Sequence, residues 1–185
     1  MKNIKLLLFL TLLFSSITIA QDVTIKKIDI SGYIGQVSPL TSADRSSYNA
    51  GSSLGISLSF PNKEIKLFKH PFSMGMELNF SKLDENQSQN DLGINSLVFH
   101  LLTAFDKLPV DFSFGFGISD VSAQQIAGSG IIDISHKLPL KKLDFSIGIR
   151  FQQVFDIQKN YKVKHMHGLY GLNLKFGKVI KYNKK

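Results

Sequence analysis

The candidate residues for hydrolytic chemistry are a serine, an aspartate and several histidines. They are His100, Asp133, Ser135, His136, His165 and His167. A serine nucleophile needs a base within hydrogen-bond reach and a third group that orients the base. Ser135 and His136 are sequence neighbours, so in a strand their side chains leave opposite faces and cannot pair. We therefore predict no catalytic residues from this pattern.

The segment His165-Met166-His167 is the strongest metal-binding candidate in the sequence. In an extended chain both imidazoles lie on one face, and a third ligand would complete a site. The chain has no cysteine, and no acidic residue is close in sequence. We interpret the segment as a polar loop-to-strand junction and predict neither a metal nor a cofactor.

Charged residues recur on the polar side of segments that alternate between polar and apolar positions. They are Asp29, Glu77, Asp111, Asp133, Asp144, Arg150 and Lys175, with Lys27 as a further candidate. Charges taken out of water must be paired and hydrogen-bonded. If this face is an interior, we expect a salt-bridge network that plugs it. The alternative is an ion-conducting pore.

A period of two dominates the chain and predicts the strands that would position these side chains. Alternating segments lie at 53–60, 72–80, 110–119, 143–152 and 170–176, with weaker ones at 23–35, 94–105 and 130–137. Successive side chains of a strand point to opposite faces, so each segment has an apolar and a polar face. About eight strands follow, each near the length that a tilted strand needs to cross a bilayer.

The connections between these segments are of two kinds. The odd ones are longer and polar or flexible, at 36–50, 81–93, 120–129 and 157–166. The even ones, at 61–69, 106–109 and 137–142, hold or adjoin four of the five prolines. Membrane barrels with periplasmic termini have long outer loops and short periplasmic turns. The pattern predicts that 36–50 and 81–93 are exposed at the cell surface.

The identity of the polar residues predicts which face is the interior. The polar face is mostly Ser, Gly, Asn and Asp, which suit the crowded inside of a small barrel. The other face is large, apolar and continuous, as lipid requires. We predict an all-β, closed, antiparallel up-and-down transmembrane barrel. The alternative is a secreted lipocalin-like binder. In such a barrel the apolar faces of the strands point inward and line a cavity.

The ends of the chain carry an expected leader and an expected tail. Residues 1–20 have a basic start, an apolar run from Leu6 to Phe14 and small residues up to Ala20. This layout predicts a cleaved secretory signal peptide. No later stretch has eighteen consecutive apolar residues, which argues against a helical membrane protein. We assign 21–176 to the barrel and 177–185 to a short basic periplasmic tail.

The last alternating segment, Tyr170 to Phe176, resembles the C-terminal assembly signal of outer-membrane barrels. The matching positions are Gly171, Leu174 and Phe176, while Leu169 and the nine residues after Phe176 depart from the pattern. Together with the eight segments, the chain resembles the small barrels that include OmpX and the OmpA transmembrane domain. The resemblance implies recognition by the barrel-insertion machinery and residence in the outer membrane of a Gram-negative bacterium.

Three functions are compatible with these patterns. The first is a non-enzymatic barrel with an envelope-structural role or a surface-binding role through its long loops. The second is an outer-membrane lipid-modifying enzyme acting on acyl chains of lipid A or phospholipid, and the third is the lipocalin-like binder. Expected partners are outer-membrane lipids and lipopolysaccharide, the latter through Lys159, Lys162 and Lys164. The net charge of +8 does not by itself indicate nucleic-acid binding, and export argues against it.

Overall fold

A computed structural model describes residues 27–67, 70–86, 91–105, 109–122, 125–139, 144–157 and 164–181. These residues form one short helix, α1 (Ser42–Ser47), and eight strands. The strands are β1 (Lys27–Pro39), β2 (Gly51–Leu67), β3 (His70–Leu83), β4 (Leu92–Ala104), β5 (Val110–Val121), β6 (Gln125–Leu138), β7 (Asp144–Asp156) and β8 (Lys164–Lys181). Each strand pairs antiparallel with the next, and β8 pairs with β1, so the sheet closes into a barrel. The predicted fold class is confirmed.

Within the described ranges, no helix is both long enough and apolar enough to cross a membrane.

The two faces of the sheet have the predicted chemistry. Large apolar side chains point outward, with Phe116 67% and Ile56 61% exposed, whereas inward Asn79 and Ser119 are each 1% exposed. A lipocalin-like binder requires the apolar faces to line an interior cavity, and here they form the outer surface. That alternative is therefore wrong. We call the ring of outward apolar side chains the apolar belt.

The two ends of the barrel differ, and we name them by their connections. The loop end is where β1, β3, β5 and β7 end, and the turn end is where β2, β4 and β6 end. The predicted loop 120–129 is too long because β6 already begins at Gln125. The predicted turn 61–69 is also too long because β2 continues to Leu67, with a register shift between Asn62 and Lys66.

Two glycines explain why the sequence at the start of β6 does not alternate between apolar and polar residues. Gly128 and Gly130 occupy outward positions that carry an apolar side chain elsewhere in the belt. The ring of Phe155, on the neighbouring strand β7, lies over this gap, so a Cβ added at Gly128 would be 2.9 Å from it. The apolar surface at this point comes from another strand, and periodicity within one segment cannot show that.

The predicted tail begins too early. Strand β8 runs to Lys181, with Gly177 opposite Ser31 and Lys181 opposite Lys27 of β1. Pairing along the full length of β1 leaves less unpaired backbone at the seam of the barrel, which a membrane would penalise. The remaining tail, residues 182–185, and the expected signal peptide, residues 1–20, lie outside the described residues.

Candidate functional site

The centre of the barrel interior is built around Arg150, on an inward position of β7. Its guanidinium forms a two-pronged ion pair with Glu77 of β3, with Nη2 2.8 Å from Oε2. Nε donates to Oδ2 of Asp133 on β6 at 3.2 Å. The guanidinium carbon also lies 4.2 Å from the ring centroid of Tyr33 on β1. Planar, two-pronged pairing of this kind is the strongest geometry available between an arginine and a carboxylate.

The charges at this centre are balanced. The ammonium of Lys175 contacts Asp133, so two cations and two carboxylates form one network. The hydroxyl of Tyr33 donates to Oε1 of Glu77 at 3.1 Å. Arg150 and Glu77 are each 5% exposed and Asp133 is 1% exposed. We call Tyr33, Glu77, Asp133, Arg150 and Lys175 the central network.

The remaining predicted interior charges lie nearer the turn end and are not part of the central network. Asp111 pairs with Lys137 at 3.0 Å, and the Lys137 side chain is half exposed. Within the described residues, Lys27, Asp29 and Asp144 form no ion pair. The alternation places these residues on the polar face but does not say how far along the barrel each one lies. Height along the axis depends on register, and short segments do not reveal register.

A layer of amides and hydroxyls lies on the loop-end side of the central network. Gln152 donates to the hydroxyls of Ser96 and Ser129 at 2.8 and 3.1 Å, and Asn79 donates to Gln152 at 2.9 Å. Ser96 and Ser119 share a hydrogen bond of 2.7 Å. These groups lie on five different strands, so the layer ties the barrel wall together across its interior.

An apolar cluster fills the interior at the loop end, above the amide layer. Its members are Val37, Leu83, Leu92, Ile94, Val121, Ala127, Val154 and Leu169. We call this cluster the apolar plug. A cavity beside Arg150 and Gln152 has a volume of about 10 Å³, which is no more than about one water molecule requires. The interior is thus filled by charges, then amides, then hydrocarbon.

The helix α1 lies at the mouth of the barrel and is held there by Asp44. Thr41 caps the helix, accepting from the Asp44 amide at 3.1 Å and donating to its carboxylate at 2.7 Å. The same carboxylate accepts from the Gly168 amide at 3.0 Å and lies 3.0 Å from Nδ1 of His167. We call these four residues the mouth clamp. Tyr48 packs against the apolar plug and meets the His167 ring edge-on.

Hydrogen bonding determines the acidity of Asp44. Burial by itself would raise the pKa of this carboxyl, but the bonds from Thr41, Gly168 and His167 favour the ionised form more strongly. The pKa of Asp44 therefore lies below its ordinary value of 3.8. The clamp is a charged anchor between the first connection and the start of β8.

The structure separates most of the candidate catalytic residues. Ser135 is buried on an inward position while His136 is exposed on the outside, so the two cannot act together. Asp133 is engaged by Arg150 and Lys175. His100 is an inward residue, 5% exposed, and its Nδ1 has no hydrogen-bond partner in the described part of the chain. The side chain of His165, one of the two candidate metal ligands, lies outside the described residues.

The pairing of His167 with Asp44 could not be predicted from sequence. The two residues are 123 positions apart, and Asp44 reaches the histidine only because α1 folds back over the mouth. The signal that was available is local: Thr41, with Asp44 three residues later, is a helix-start pattern.

The predicted assembly-signal residues all lie on β8 but point to two different faces of the sheet. Gly171 occupies an inward position where a Cβ would be 2.5 Å from the carbonyl oxygen of Gln36. Leu174 and Phe176 point outward and are 39% and 43% exposed. The Phe176 ring lies 6.5 Å, between centroids, from that of Phe145 on β7.

Sequence comparison does not place the chain in a described family. No protein-family model matches the chain, and no curated protein matches its sequence. Solved structures do match its fold. The crystal structure of the outer membrane enzyme PagL superposes with a TM-score of 0.50 at 12% identity, covering 80% of this chain and 97% of PagL. The chain has the fold of the small outer-membrane β-barrels.

Two further solved structures match the chain at lower TM-scores. Neisserial surface protein A has a TM-score of 0.42 at 13% identity, covering 84% of this chain and 96% of that protein. The outer membrane protein AlkL, solved in lipid bilayers, has a TM-score of 0.48 at 9% identity, covering 86% and 92%. The expected resemblance to small eight-stranded outer-membrane barrels is confirmed at the level of the fold, by the closed order of eight strands and by the match to PagL. At these identities the likeness does not extend to the activity of any one of these proteins.

Proposed function

We propose that this protein is a non-enzymatic component of the outer membrane of a Gram-negative bacterium, with a role in envelope integrity. The observation that carries the proposal is the filled interior. The central network, the amide layer and the apolar plug occupy successive levels between the turn end and the mouth. A barrel filled in this way supports a function carried by its outer surface and its loop end rather than by its lumen.

The apolar belt supports membrane residence. Ile34, Leu54, Leu78, Ile132, Ile149 and Leu172 are all between 46% and 59% exposed, so a continuous hydrocarbon surface encircles the barrel. Water does not tolerate an apolar surface of this extent, and bilayer lipid covers it. Outer-membrane lipids are therefore the first partners that we propose. Contacts with lipopolysaccharide through Lys159, Lys162 and Lys164 remain part of the proposal, although the side chains of these residues lie outside the described ones.

Deletion of the gene tests the envelope role. We expect the deletion strain to become more sensitive to bile salts and to large antibiotics that an intact outer membrane excludes. Expression of the wild-type protein, or of a His167→Ala variant, should restore resistance equally well. Unchanged sensitivity in the deletion strain would contradict the envelope role.

A lipid-modifying enzyme is the second candidate, and the Asp44–His167 pair is the observation that favours it. A carboxylate bound to Nδ1 holds an imidazole so that its other nitrogen can act as a base. Against this, His167 faces the interior at the mouth, and its side chain is only 18% exposed. Changes in the acyl chains of lipid A or phospholipid on overexpression, abolished by His167→Ala, would establish the enzyme and overturn the first proposal.

We further propose that Gly171, Leu174 and Phe176 act as the assembly signal read by the insertion machinery. The outward position of Leu174 and Phe176 supports this, because a partner can reach them from outside the barrel. Phe176→Ala should reduce the amount of folded barrel in the membrane, and Phe116→Ala, on an equally outward position of β5, should not. Equal assembly of the two variants would contradict the signal.

A further inference from the structure

The apolar belt contains a recess near the loop end, on the side formed by β3 to β6. Its volume is about 290 Å³, and its walls include Leu78, Phe80, Leu97, Ile118 and Ile126. All five are outward residues of the belt by their place in the strand alternation. Because the recess opens away from the barrel interior, only a molecule in the surrounding membrane can enter it.

Two polar side chains interrupt the hydrocarbon of this recess. Register places Phe80, Asn95, Asp120 and Ile126 in one row across four adjacent strands. Asn95 and Asp120 are directly opposite each other, so their side chains are close neighbours. The row one step toward the turn end holds Leu78, Leu97 and Ile118 and is entirely apolar. The recess is therefore lined mainly by hydrocarbon, with Asn95 and Asp120 next to each other in its upper row.

The position of Asp120 matches the level of lipid head groups. It is the penultimate residue of β5 and thus lies at the loop-end edge of the apolar belt. A carboxylate on the lipid-facing side of a barrel is tolerated at the edge of the hydrocarbon and becomes costly toward its middle. Within the described residues Asp120 has no ion-pair partner, whereas the nearby Lys82 is already paired with Asp91 at 2.5 Å.

We propose that this recess binds a membrane lipid whose head group carries an ammonium. One acyl chain lies along Leu78, Leu97 and Ile118, the ammonium pairs with Asp120, and the amide of Asn95 hydrogen-bonds the polar part of the lipid. Charge complementarity identifies the head group, because an anionic lipid would place like charge against Asp120. The assignment requires the barrel to lie in a membrane, but it does not require the envelope role or exclude the enzymatic one.

Native mass spectrometry of the detergent-purified protein tests the proposal. Phosphatidylethanolamine and phosphatidylglycerol of identical acyl chains are offered at equal concentration, and the retained lipid is counted. We expect retention of the ethanolamine lipid to exceed that of the glycerol lipid about three-fold. This ratio corresponds to the free energy of one partly exposed ion pair. Asp120→Asn should abolish the preference, and Asp120→Glu should keep it. Asp84→Asn, an exposed carboxylate elsewhere at the loop end, is the matched control and should also keep it.

A second pair of variants tests the apolar part of the recess. Ile126→Ala should lower retention of both lipids without changing their ratio, while Ile34→Ala should not. Ile126 and Ile34 are 56% and 55% exposed, and Ile34 lies on β1, away from the recess. Equal retention of the two lipids by the wild type, or an unchanged preference in Asp120→Asn, would overturn the proposal. So would a dimer in which a second copy of the chain occupies this face.

Discussion

Nδ1 of His167 lies 3.0 Å from Oδ1 of Asp44, and this contact joins the helix over the mouth to the strand that closes the barrel. The Gly168 amide donates to the other oxygen of the same carboxylate, and the Leu40 amide donates to the Gly168 carbonyl oxygen at 2.6 Å. These contacts hold the first connection to β8, and backbone bonds from Asn49 to Asp84 (2.7 Å) and from Asn86 to Ser47 (3.0 Å) hold it to the segment after β3. Loss of Asp44 removes the anchor without altering the wall of the barrel.

Asp44→Ala should detach α1 from β8 and loosen it, while the barrel stays folded and the backbone bonds to residues 84–86 remain. The side chain is buried, and hydrogen bonds to an ionised carboxylate are each worth on the order of 1–3 kcal/mol. We expect trypsin to cut after the exposed Arg45 about ten-fold faster or more, because cleavage follows the population of the opened segment. The measurement is limited proteolysis of the refolded protein in detergent. Asp84→Ala is the control, and equal cleavage in both variants would show that Asp44 is not the anchor.

The clamp should persist in mildly acidic solution. Because the pKa of Asp44 is lowered in the folded protein, its stabilisation is fully present above the ordinary carboxyl value of 3.8 and is lost as the pH falls through the lower folded value. The amide proton of Gly168, followed by NMR, should keep its hydrogen-bonded chemical shift at pH 5 and lose it only below pH 3.8. Loss of that shift between pH 7 and pH 5 would contradict the assigned acidity.

Arg150 should contribute more to stability than any single charge at the rim. Arg150→Leu leaves Glu77 buried without its cation and Asp133 with Lys175 alone, which should cost about 3–5 kcal/mol of the free energy of unfolding. The double variant Glu77→Gln with Arg150→Leu should be less destabilised than Arg150→Leu, because one buried charge is removed with its partner. Lys137→Met, at the half-exposed rim pair, should cost less than about 1 kcal/mol. Urea unfolding in micelles measures all three, and similar costs for Arg150→Leu and Lys137→Met would contradict a central role.

Strand packing between β4 and β5 should depend on Gly117. A Cβ at this position would lie 1.9 Å from the Leu97 carbonyl oxygen, whereas one at Gly93 would meet nothing within 4 Å. Gly117→Ala should therefore destabilise the barrel by about 1–3 kcal/mol, and Gly93→Ala should change stability by less than about 0.5 kcal/mol. The stability of both variants is followed by the fraction of the protein that runs as the compact species on a gel without boiling. Equal fractions would contradict the close approach.

The parts of the fold that the sequence predicts are those encoded within a single strand. Phe112, Phe114 and Phe116 alternate with Ser113 and Gly115, so one segment is enough to assign a strand and its two faces. The start of β6 cannot be assigned in this way, because the side chain that covers the outer surface at Gly128 is Phe155, which belongs to β7. The predicted tail fails for a similar reason, since residues 178–181 are strand only by pairing with β1.

The interior illustrates the same limit. Glu77, Asp133, Arg150 and Lys175 all lie on the polar face of the alternation, but their grouping into one network depends on the register of four strands. The apolar plug was missed because its members, such as Leu83 and Leu169, fall on the otherwise polar face at strand ends. Asp44 was missed because its partner, His167, is 123 positions away in the sequence.

Ion conductance across a planar lipid bilayer tests the central claim, that this barrel fills its own lumen. The purified wild-type protein, with insertion verified by the shift in mobility on boiling, should show no stable conductance above the bare bilayer at moderate voltage and salt. The reason is that the central network, the amide layer and the plug occupy successive levels of the interior, so we expect no continuous aqueous path. Stable, unitary channel openings from the correctly folded wild-type protein would contradict the filled interior and the function proposed from it.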